Sequence, residues 1–193
     1  MTNEINIVIG SWGSYNECNE RALGSKWICL NDYTDWEDIL EELKRQGFEL
    51  DGIDEELFVQ GIENMPTSLN WDYVNPQKLF ETLYESGVLD DEYKYEIFEV
   101  FCEIESYDVF ETRVENYGSN WDNDIYLWKD YDWYDLGYAL IHEEGNEIPD
   151  WLDNYIDYKR YGEEFSYDGF HEYTNGIIEI RWRRLIWTTL HLK

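Results

Sequence analysis

The hydrophobic residues near the N-terminus fall on every second position. Ile5, Ile7 and Ile9 are each separated by one residue, and a period of two is the spacing of a strand that buries one face. Residues 26–30 and 57–62 are two further candidate strands. A small sheet is therefore predicted in the first third of the chain.

A helix is predicted between the second and third of these strands. Thr34 and Glu37 have the spacing of a capping box, in which each side chain accepts a hydrogen bond from the backbone of the other residue. Gly47 is a favourable end. The apolar residues in between recur at helical spacing at Trp36, Ile39, Leu40 and Leu43. Residues 1–66 are therefore predicted to form an α+β domain.

The middle of the chain has helical spacing only. The pair Asn75-Pro76 predicts an N-cap followed by proline in the first turn, and Gly87 predicts the end of that helix. A second helix is predicted to begin at the acidic residues 90–92, and a third covers residues 108–117. The apolar faces of the first two helices comprise Leu79, Phe80, Leu83 and Tyr84, and then Tyr93, Ile97, Val100, Phe101 and Ile104. Residues 67–117 are predicted to form a helical domain.

Strand and helix patterns alternate again after residue 118. Residues 125–128 are a candidate strand. The helix predicted after it has an apolar face that comprises Trp133, Leu136, Leu140 and Ile141. Pro149 predicts the first turn of another helix, which carries Leu152, Tyr155 and Ile156 and ends at Gly162.

The last segment has the pattern of a β-hairpin. Asn175-Gly176 is a strong signal for a two-residue turn, and it joins candidate strands over residues 165–174 and 177–187. Residues 118–193 are therefore predicted to form a second α+β domain, and the fold class predicted for the whole chain is α+β.

Carboxylates occupy the outward faces of the predicted helices. Like charges at this spacing destabilise a helix by about 0.2–0.5 kcal/mol per pair, and compensating lysines are mostly missing. A further requirement for negative charge is therefore inferred. The candidate surface comprises Glu37, Asp38, Glu41, Glu42, Glu81, Glu85, Glu92, Glu96, Glu99, Glu103, Asp108, Glu111, Glu115, Asp132, Asp135, Glu143, Glu144, Asp150, Asp153 and Asp157.

The composition makes the same point for the whole chain. The 193 residues include 44 acidic and 14 basic side chains, with a formal net charge of −30. A phosphate backbone or an anionic membrane would be repelled by such a surface, so neither is an expected partner.

Ten Trp and 17 Tyr residues supply enough apolar area for several small cores. A folded protein is therefore expected in spite of its charge.

The density of negative charge is close to that of DNA. Residues 1–180 contain 44 acidic and ten basic residues, a balance of −34. Duplex DNA has one charge per about 1.7 Å, so this balance corresponds to about 17 base pairs, or about 58 Å of duplex. Carboxylates on successive helical turns lie about 5.4 Å apart. The arrangement predicts a decoy for the basic groove of a DNA-binding protein.

The sequence contains little that indicates disulfides, a catalytic site or a metal site. Cys18, Cys29 and Cys102 lack CxxC spacing and are expected to be buried free thiols in a reducing compartment. His142, His171 and His191 have no HExxH spacing and are expected to be structural, and no GxSxG elbow or glycine-rich phosphate loop is found. Residues 122–124 (DND) hint at calcium, but the glycine and the closing glutamate of an EF-hand loop are missing. No enzyme activity, metal or cofactor is expected.

Two short motifs lie in the N-terminal part of the chain, at residues 12–17 (WGSYNE) and 23–27 (LGSKW). They resemble the short strand, the KYNEG turn and the LxGxW segment of the ArdA family of antirestriction proteins. Cys18 departs from the pattern because it stands where the family usually has glycine.

The C-terminal part carries the more specific resemblance. Residues 148–158 (IPDWLDNYIDY) match the family signature IPxxLxxYIDY, and Tyr161-Gly162 and residues 176–178 (GII) follow it. Upstream, Leu136-Gly137 and Glu143-Glu144 lie where the family has its acidic antirestriction segment.

The resemblance implies a protein that mimics B-form DNA and competitively occupies the DNA-binding groove of type I restriction-modification enzymes, on their specificity and methyltransferase subunits. It implies an elongated, curved rod of three small domains with a strongly acidic surface, and a homodimer joined through the C-terminal domain. The expected location is the cytoplasm of a bacterial host, with the gene on a phage, plasmid or transposon. Compared with the family pattern, residues 46–56 look like an enlargement of the first domain. The basic, aromatic residues 181–193 extend beyond the point where the family's sequences usually end.

Two alternatives remain open at this point. The mimic could be aimed at another DNA-binding protein, such as a CRISPR effector, a nucleoid protein or a repressor, because charge does not separate these targets. The acidity could instead be that of a halophilic protein, which would unfold at low salt, whereas a decoy would stay folded and lose affinity for its partner as salt rises.

Overall fold

The computed structural model describes residues 4–71, 74–143 and 148–181. The chain divides into two compact units, Met1–Trp121 and Asp122–Lys193. Each unit contains one three-stranded antiparallel sheet together with helices, so the predicted α+β class is confirmed. The division into three domains stays a prediction.

The first sheet contains the three predicted strands. They are β1 (Asn6–Ser11), β2 (Ile28–Cys29) and β3 (Leu57–Glu63), in the order β2-β1-β3. Ile7 pairs with Ile28 on one side and with Ile62 on the other. Alternate isoleucines of the first strand are fully buried, which confirms the period-two prediction.

A short helix follows the first strand directly. Helix α1 (Trp12–Glu17) covers the segment that the resemblance assigned to a strand and turn, so that expectation is wrong. The Ser11 side chain caps the helix by accepting a hydrogen bond from the Ser14 backbone N–H at 3.3 Å. Cys18 ends it in the left-handed conformation, with φ of 51°. Glycine adopts this conformation most easily, which gives a physical reason for a glycine there.

Helix α2 (Trp36–Arg45) confirms the helix predicted before Gly47. The predicted capping box is wrong, because the N-cap is Asp35 rather than Thr34. The Asp35 carboxylate accepts a hydrogen bond from the Glu37 backbone N–H at 2.9 Å. Gly47 has a φ of 92° immediately after the C-cap, as a glycine at a helix end often does.

The three predicted central helices are all present. They are α3 (Pro76–Ser86), α4 (Glu92–Ile104) and α5 (Tyr107–Tyr117). Asn75 and Asp91 accept hydrogen bonds from the first turns of α3 and α4, and Gly87 ends α3 with a φ of 77°. Their shared core includes Phe80, Phe98, Phe101, Phe110 and Trp121. Tyr84 and Tyr93 were predicted on the apolar faces but are more than 40 % exposed.

The second unit contains strands β4 (Ile125–Lys129), β5 (Phe170–Tyr173) and β6 (Gly176–Ile180), in the order β4-β6-β5. The predicted hairpin is present, but its register is shifted. Tyr173 pairs with Gly176, so the two loop residues are Thr174 and Asn175. Residues 165–168 form a 3-10 helix instead of a strand, and residues 182–187 of the predicted second strand lie outside the described part of the chain.

Helix α6 (Trp133–Glu143) confirms the prediction for that segment. The single helix predicted from Pro149 to Gly162 is wrong, because the chain forms two short helices, α7 (Asp150–Asp153) and α8 (Tyr158–Glu164). Gly162 lies inside α8, where a Cβ atom would be 2.0 Å from the Trp133 carbonyl oxygen.

The cysteines differ in their surroundings. Cys102 is buried, Cys29 is half-buried and Cys18 is exposed, so the expectation of three buried thiols is wrong. Burial raises the pKa of the Cys102 thiol well above its usual value. Within the described residues, no helix combines the length and hydrophobicity that crossing a membrane requires.

Candidate functional site

The outward face of α2 presents the carboxylates that its sequence predicted. Trp36, Ile39 and Leu43 are buried on the opposite face, whereas Glu37, Asp38 and Glu41 are exposed. Glu42 is half-buried and forms an ion pair with Arg45 at 2.7 Å. Three of the four predicted carboxylates on this helix are therefore presented to solvent.

Helix α4 carries a continuous acidic stripe, which comprises Glu92, Glu96, Glu99 and Glu103. These residues are spaced by three or four positions, so their side chains lie on neighbouring turns of one face. Eleven residues separate the first from the last, and the stripe is therefore about 16 Å long. The single lysine of the helix, Lys94, donates to the carbonyl oxygens of Ser86 and Ser119.

Burial and the neighbouring charges of the acidic stripe both disfavour the ionised form of Glu99. Burial raises the pKa of the Glu99 carboxyl, a hydrogen bond from Tyr95 lowers it, and the charges of Glu103 and Glu96 raise it, so that the net pKa lies above the usual value. The Tyr95 hydroxyl oxygen lies 2.9 Å from the Asn64 carbonyl oxygen and 3.1 Å from Glu99 Oε1. The single hydroxyl proton can be donated to only one of these two acceptors at a time.

Two carboxylates of α5 come together around one lysine of α3. Lys78 Nζ of α3 lies 3.0 Å from Glu111 Oε2 and 3.2 Å from Glu115 Oε1 of α5. The hydrogen bonds to these two carboxylates raise the pKa of Lys78. Predicted residues from the two helices that are exposed are Glu81, Glu85, Asp108 and Glu115.

Three predicted carboxylates of the second unit act as helix caps. Asp132 Oδ1 accepts from the backbone N–H groups of Tyr134 and Asp135 at 2.8 and 2.9 Å, and Asp135 Oδ2 accepts from the Asp132 N–H at 3.2 Å. These hydrogen bonds, led by the one from the Asp135 N–H, lower the pKa of Asp132. Asp157 caps α8 by accepting from the Arg160 N–H. All three remain exposed, so they combine a local role with negative surface charge.

Asp153 belongs to a polar cluster between helices. It accepts a hydrogen bond from the Tyr158 hydroxyl and lies 3.4 Å from His142 Nε2, which is 2.9 Å from the same hydroxyl oxygen. Burial and Asp153 together raise the pKa of Tyr158 to about 12. The structural role predicted for His142 agrees with these contacts. Of the remaining predicted residues, Glu144 and the side chains of Glu143 and Asp150 lie outside what the structure describes.

Asp54 is a buried structural carboxylate that the sequence did not single out. It is fully buried and accepts hydrogen bonds from the Ser14 hydroxyl, from the Glu49 N–H at 2.8 Å and from Arg21 Nε at 3.1 Å. Burial alone would raise its pKa, but these partners lower it overall. Asp54 thus fixes residues 46–56 against α1, where a Cβ atom on Gly13 would lie 1.9 Å from the Ile53 carbonyl oxygen.

The described residues contain no group of three or more His, Cys, Asp or Glu side chains that could hold a metal ion. The exposed carboxylates are instead distributed along helix faces. Such an arrangement can attract and bind an extended basic surface, because each carboxylate contributes a share of one field.

A comparison with protein families matches residues 7–179 to the family model described as "Antirestriction protein (ArdA)". The chain belongs to the ArdA family of antirestriction proteins. A search of curated proteins finds no match. Membership of the ArdA family implies an antirestriction function, and the family is a non-catalytic one that acts against restriction-modification enzymes.

The structure gives physical reasons for glycines in the ArdA-like motifs. Gly137 and Gly162 lie where α6 and α8 cross, and a Cβ atom on Gly137 would be 2.0 Å from the Tyr158 carbonyl oxygen. The two backbones can approach this closely only without side chains at the crossing. Tyr158, the last residue of the IPxxLxxYIDY match, is buried and contacts both Tyr134 and Tyr138 of α6.

Proposed function

We propose that this protein is a mimic of B-form DNA that competitively occupies the DNA-binding groove of a type I restriction-modification enzyme. The specificity and methyltransferase subunits are the proposed partners, because they hold the DNA. The observation that carries the proposal is the set of carboxylates on the outward faces of α2 and α4. The whole predicted surface, from Glu37 to Asp157, is proposed to contribute in small shares.

The spacing of the α4 stripe supports this proposal. Four carboxylates lie along about 16 Å of helix axis. One strand of duplex DNA carries one phosphate per about 3.4 Å of axis, or about five over the same length. A row of such helices therefore approaches the charge density that a basic groove is built to bind.

The proposed mechanism is inhibition by occupation, without turnover. The negative field attracts the basic groove and raises the association rate. Ordered carboxylates then bind the lysine and arginine side chains that otherwise contact phosphates. Because the helices are already folded, the backbone that carries these carboxylates does not have to be ordered on binding.

We further propose that the chain is an elongated, curved and acidic rod of three small domains. Two copies are proposed to form a homodimer that is joined through the second unit. Large apolar side chains that are exposed in and just after α7 support the dimer, with Trp151 71 % and Tyr155 82 % exposed. The proposed location is the cytoplasm of a bacterial host that carries the gene on a mobile element.

The test is displacement of DNA. A labelled duplex that contains the recognition site is bound to a purified type I methyltransferase, and the protein is added in increasing amounts. We expect the duplex to be released at amounts close to one inhibitor per DNA site, with no further change over time. A stable complex of all three molecules would contradict the proposal and would point to another DNA-binding partner.

A further inference from the structure

A hollow of about 390 Å³ opens on the surface of the second unit, between the end of β4 and the side of α6. The residues that line it include Asp130, Asp135, Tyr138, Lys129 and His142. Asp135, Tyr138 and His142 are spaced by three and four positions, so they lie along one face of α6. The hollow therefore combines two carboxylates from different elements with an aromatic wall.

The aromatic wall is partly open. The rings of Tyr138 and His142 are in contact at a tilt of 32°, with centroids 4.2 Å apart, and His142 Nε2 is held 2.9 Å from the Tyr158 hydroxyl oxygen. Tyr138 is nevertheless 45 % exposed. Asp135 uses Oδ2 to accept the Asp132 N–H, so its other oxygen can accept from a ligand.

The same unit already binds one of its own arginines with this combination of groups. Arg181 donates from Nε to Glu179 Oε1 and from Nη2 to Glu179 Oε2 at 3.1 Å. Its Cζ atom lies 4.6 Å from the centroid of the Tyr126 ring. A planar guanidinium suits a carboxylate and an aromatic face at once, whereas an ammonium ion makes neither a two-pronged hydrogen bond nor a planar stack.

We propose that the hollow at β4 and α6 is an arginine-binding site for the partner, in which Asp130 and Asp135 bind the guanidinium and Tyr138 stacks on it. This inference rests on the proposed function and adds to it, because it makes one contact with the partner groove selective for arginine over lysine. The ammonium group of Lys129 opposes the guanidinium and weakens the site.

The test compares the binding of hexa-arginine and hexa-lysine to the full chain by titration calorimetry at fixed salt. The variants are Asp130→Asn, Tyr138→Leu and Lys129→Met. Asn tolerates the left-handed backbone of Asp130, whose φ is 62°. Matched controls are Asp168→Asn and Tyr167→Leu, which make the same chemical changes at exposed positions outside the hollow. Circular dichroism confirms that each variant is folded.

Wild-type protein is expected to bind hexa-arginine more tightly than hexa-lysine. Asp130→Asn and Tyr138→Leu should each weaken hexa-arginine binding by about 2- to 5-fold and affect hexa-lysine less. The two controls should leave this preference unchanged, and Lys129→Met should strengthen hexa-arginine binding. Equal losses for both peptides, or weaker binding after Lys129→Met, would overturn the site.

The peptide experiment is independent of the restriction enzyme. A preference for arginine without displacement of DNA would support the site and reject the proposed function. Displacement of DNA by a protein with no arginine preference would support the proposed function and reject the site.

Discussion

The α4 stripe allows stability and function to be separated in one variant. Replacing Glu96, Glu99 and Glu103 with Gln removes three like-charge contacts: Glu92 with Glu96, Glu96 with Glu99, and Glu99 with Glu103. Each such contact costs an isolated helix about 0.2–0.5 kcal/mol, so the triple variant should be more stable by about 0.6–1.5 kcal/mol. Glu92 is retained, because a carboxylate in the first turn is favourable.

Glu99 adds a dependence on pH to this prediction. Its pKa is raised in the folded protein, so its contribution to stability is present below the pKa of the unfolded chain and is lost as the pH rises through the folded pKa. At neutral pH the charge therefore opposes folding, and Glu99→Gln removes that penalty. The Gln amide can also donate to the Tyr95 oxygen while Tyr95 donates to Asn64. The gain in stability should disappear in acid.

The assay is urea unfolding at neutral pH, at low and at high salt. We expect a higher free energy of unfolding for the triple variant at low salt and a smaller gain at high salt, because salt screens the repulsion. The control is Glu111→Gln with Glu115→Gln, which removes the ion pairs to Lys78 and should destabilise slightly. The triple variant should also inhibit less well. A triple variant that is less stable than wild type would refute the argument that these charges are kept at a cost to folding.

Three further predictions concern the fold. Cys18→Gly should stabilise the protein by about 1 kcal/mol in thermal unfolding, because glycine adopts the left-handed conformation more easily; an unchanged or lower midpoint would contradict this. Gly162→Ala should lower the free energy of unfolding in urea by about 3 kcal/mol, because the alanine Cβ would meet the Trp133 carbonyl oxygen. A variant as stable as wild type would show that α6 and α8 separate easily. Asp54→Asn should cost about 3 kcal/mol at neutral pH. The pKa of Asp54 is lowered in the folded protein, so the stability that its charge contributes is lost as the pH falls through that pKa. If denaturation at several pH values showed the same loss of stability in Asp54→Asn throughout, the result would argue against the buried ion pair.

The elements predicted correctly are those whose signals are local. Asn75, Pro76 and Gly87 define the two ends of α3 without reference to any other segment. The isoleucines of β1 likewise alternate within a few residues. In such segments the cap, the turn and the apolar spacing all indicate the same structure.

Two of the segments predicted wrongly depend on distant contacts. Gly162 has the local signal of a helix end, but it lies within α8 because α6 crosses it at the Trp133 carbonyl. The structure of α1 depends on residues 46–56, which supply the partners of Ser11 and Trp12.

The residues of the candidate surface were predicted from helical spacing, which does not show what each carboxylate contacts. The acidic faces of α2 and α4 follow directly from helical spacing. The sequence does not distinguish a surface carboxylate from the buried Asp54 among 44 acidic residues. It also does not show that Asp132, Asp135 and Asp157 cap helices, because each cap depends on where its helix begins.

The central claim is that helix-borne carboxylates take the place of DNA phosphates. The most direct measurement is the dissociation constant for a purified type I methyltransferase across a salt series, for wild type and for a variant with Glu37, Glu41, Glu96, Glu99 and Glu103 changed to Gln. We expect the logarithm of the dissociation constant to rise linearly with the logarithm of salt concentration, with a smaller slope for the variant. An affinity that does not depend on salt, or a slope that the five substitutions leave unchanged, would contradict the claim.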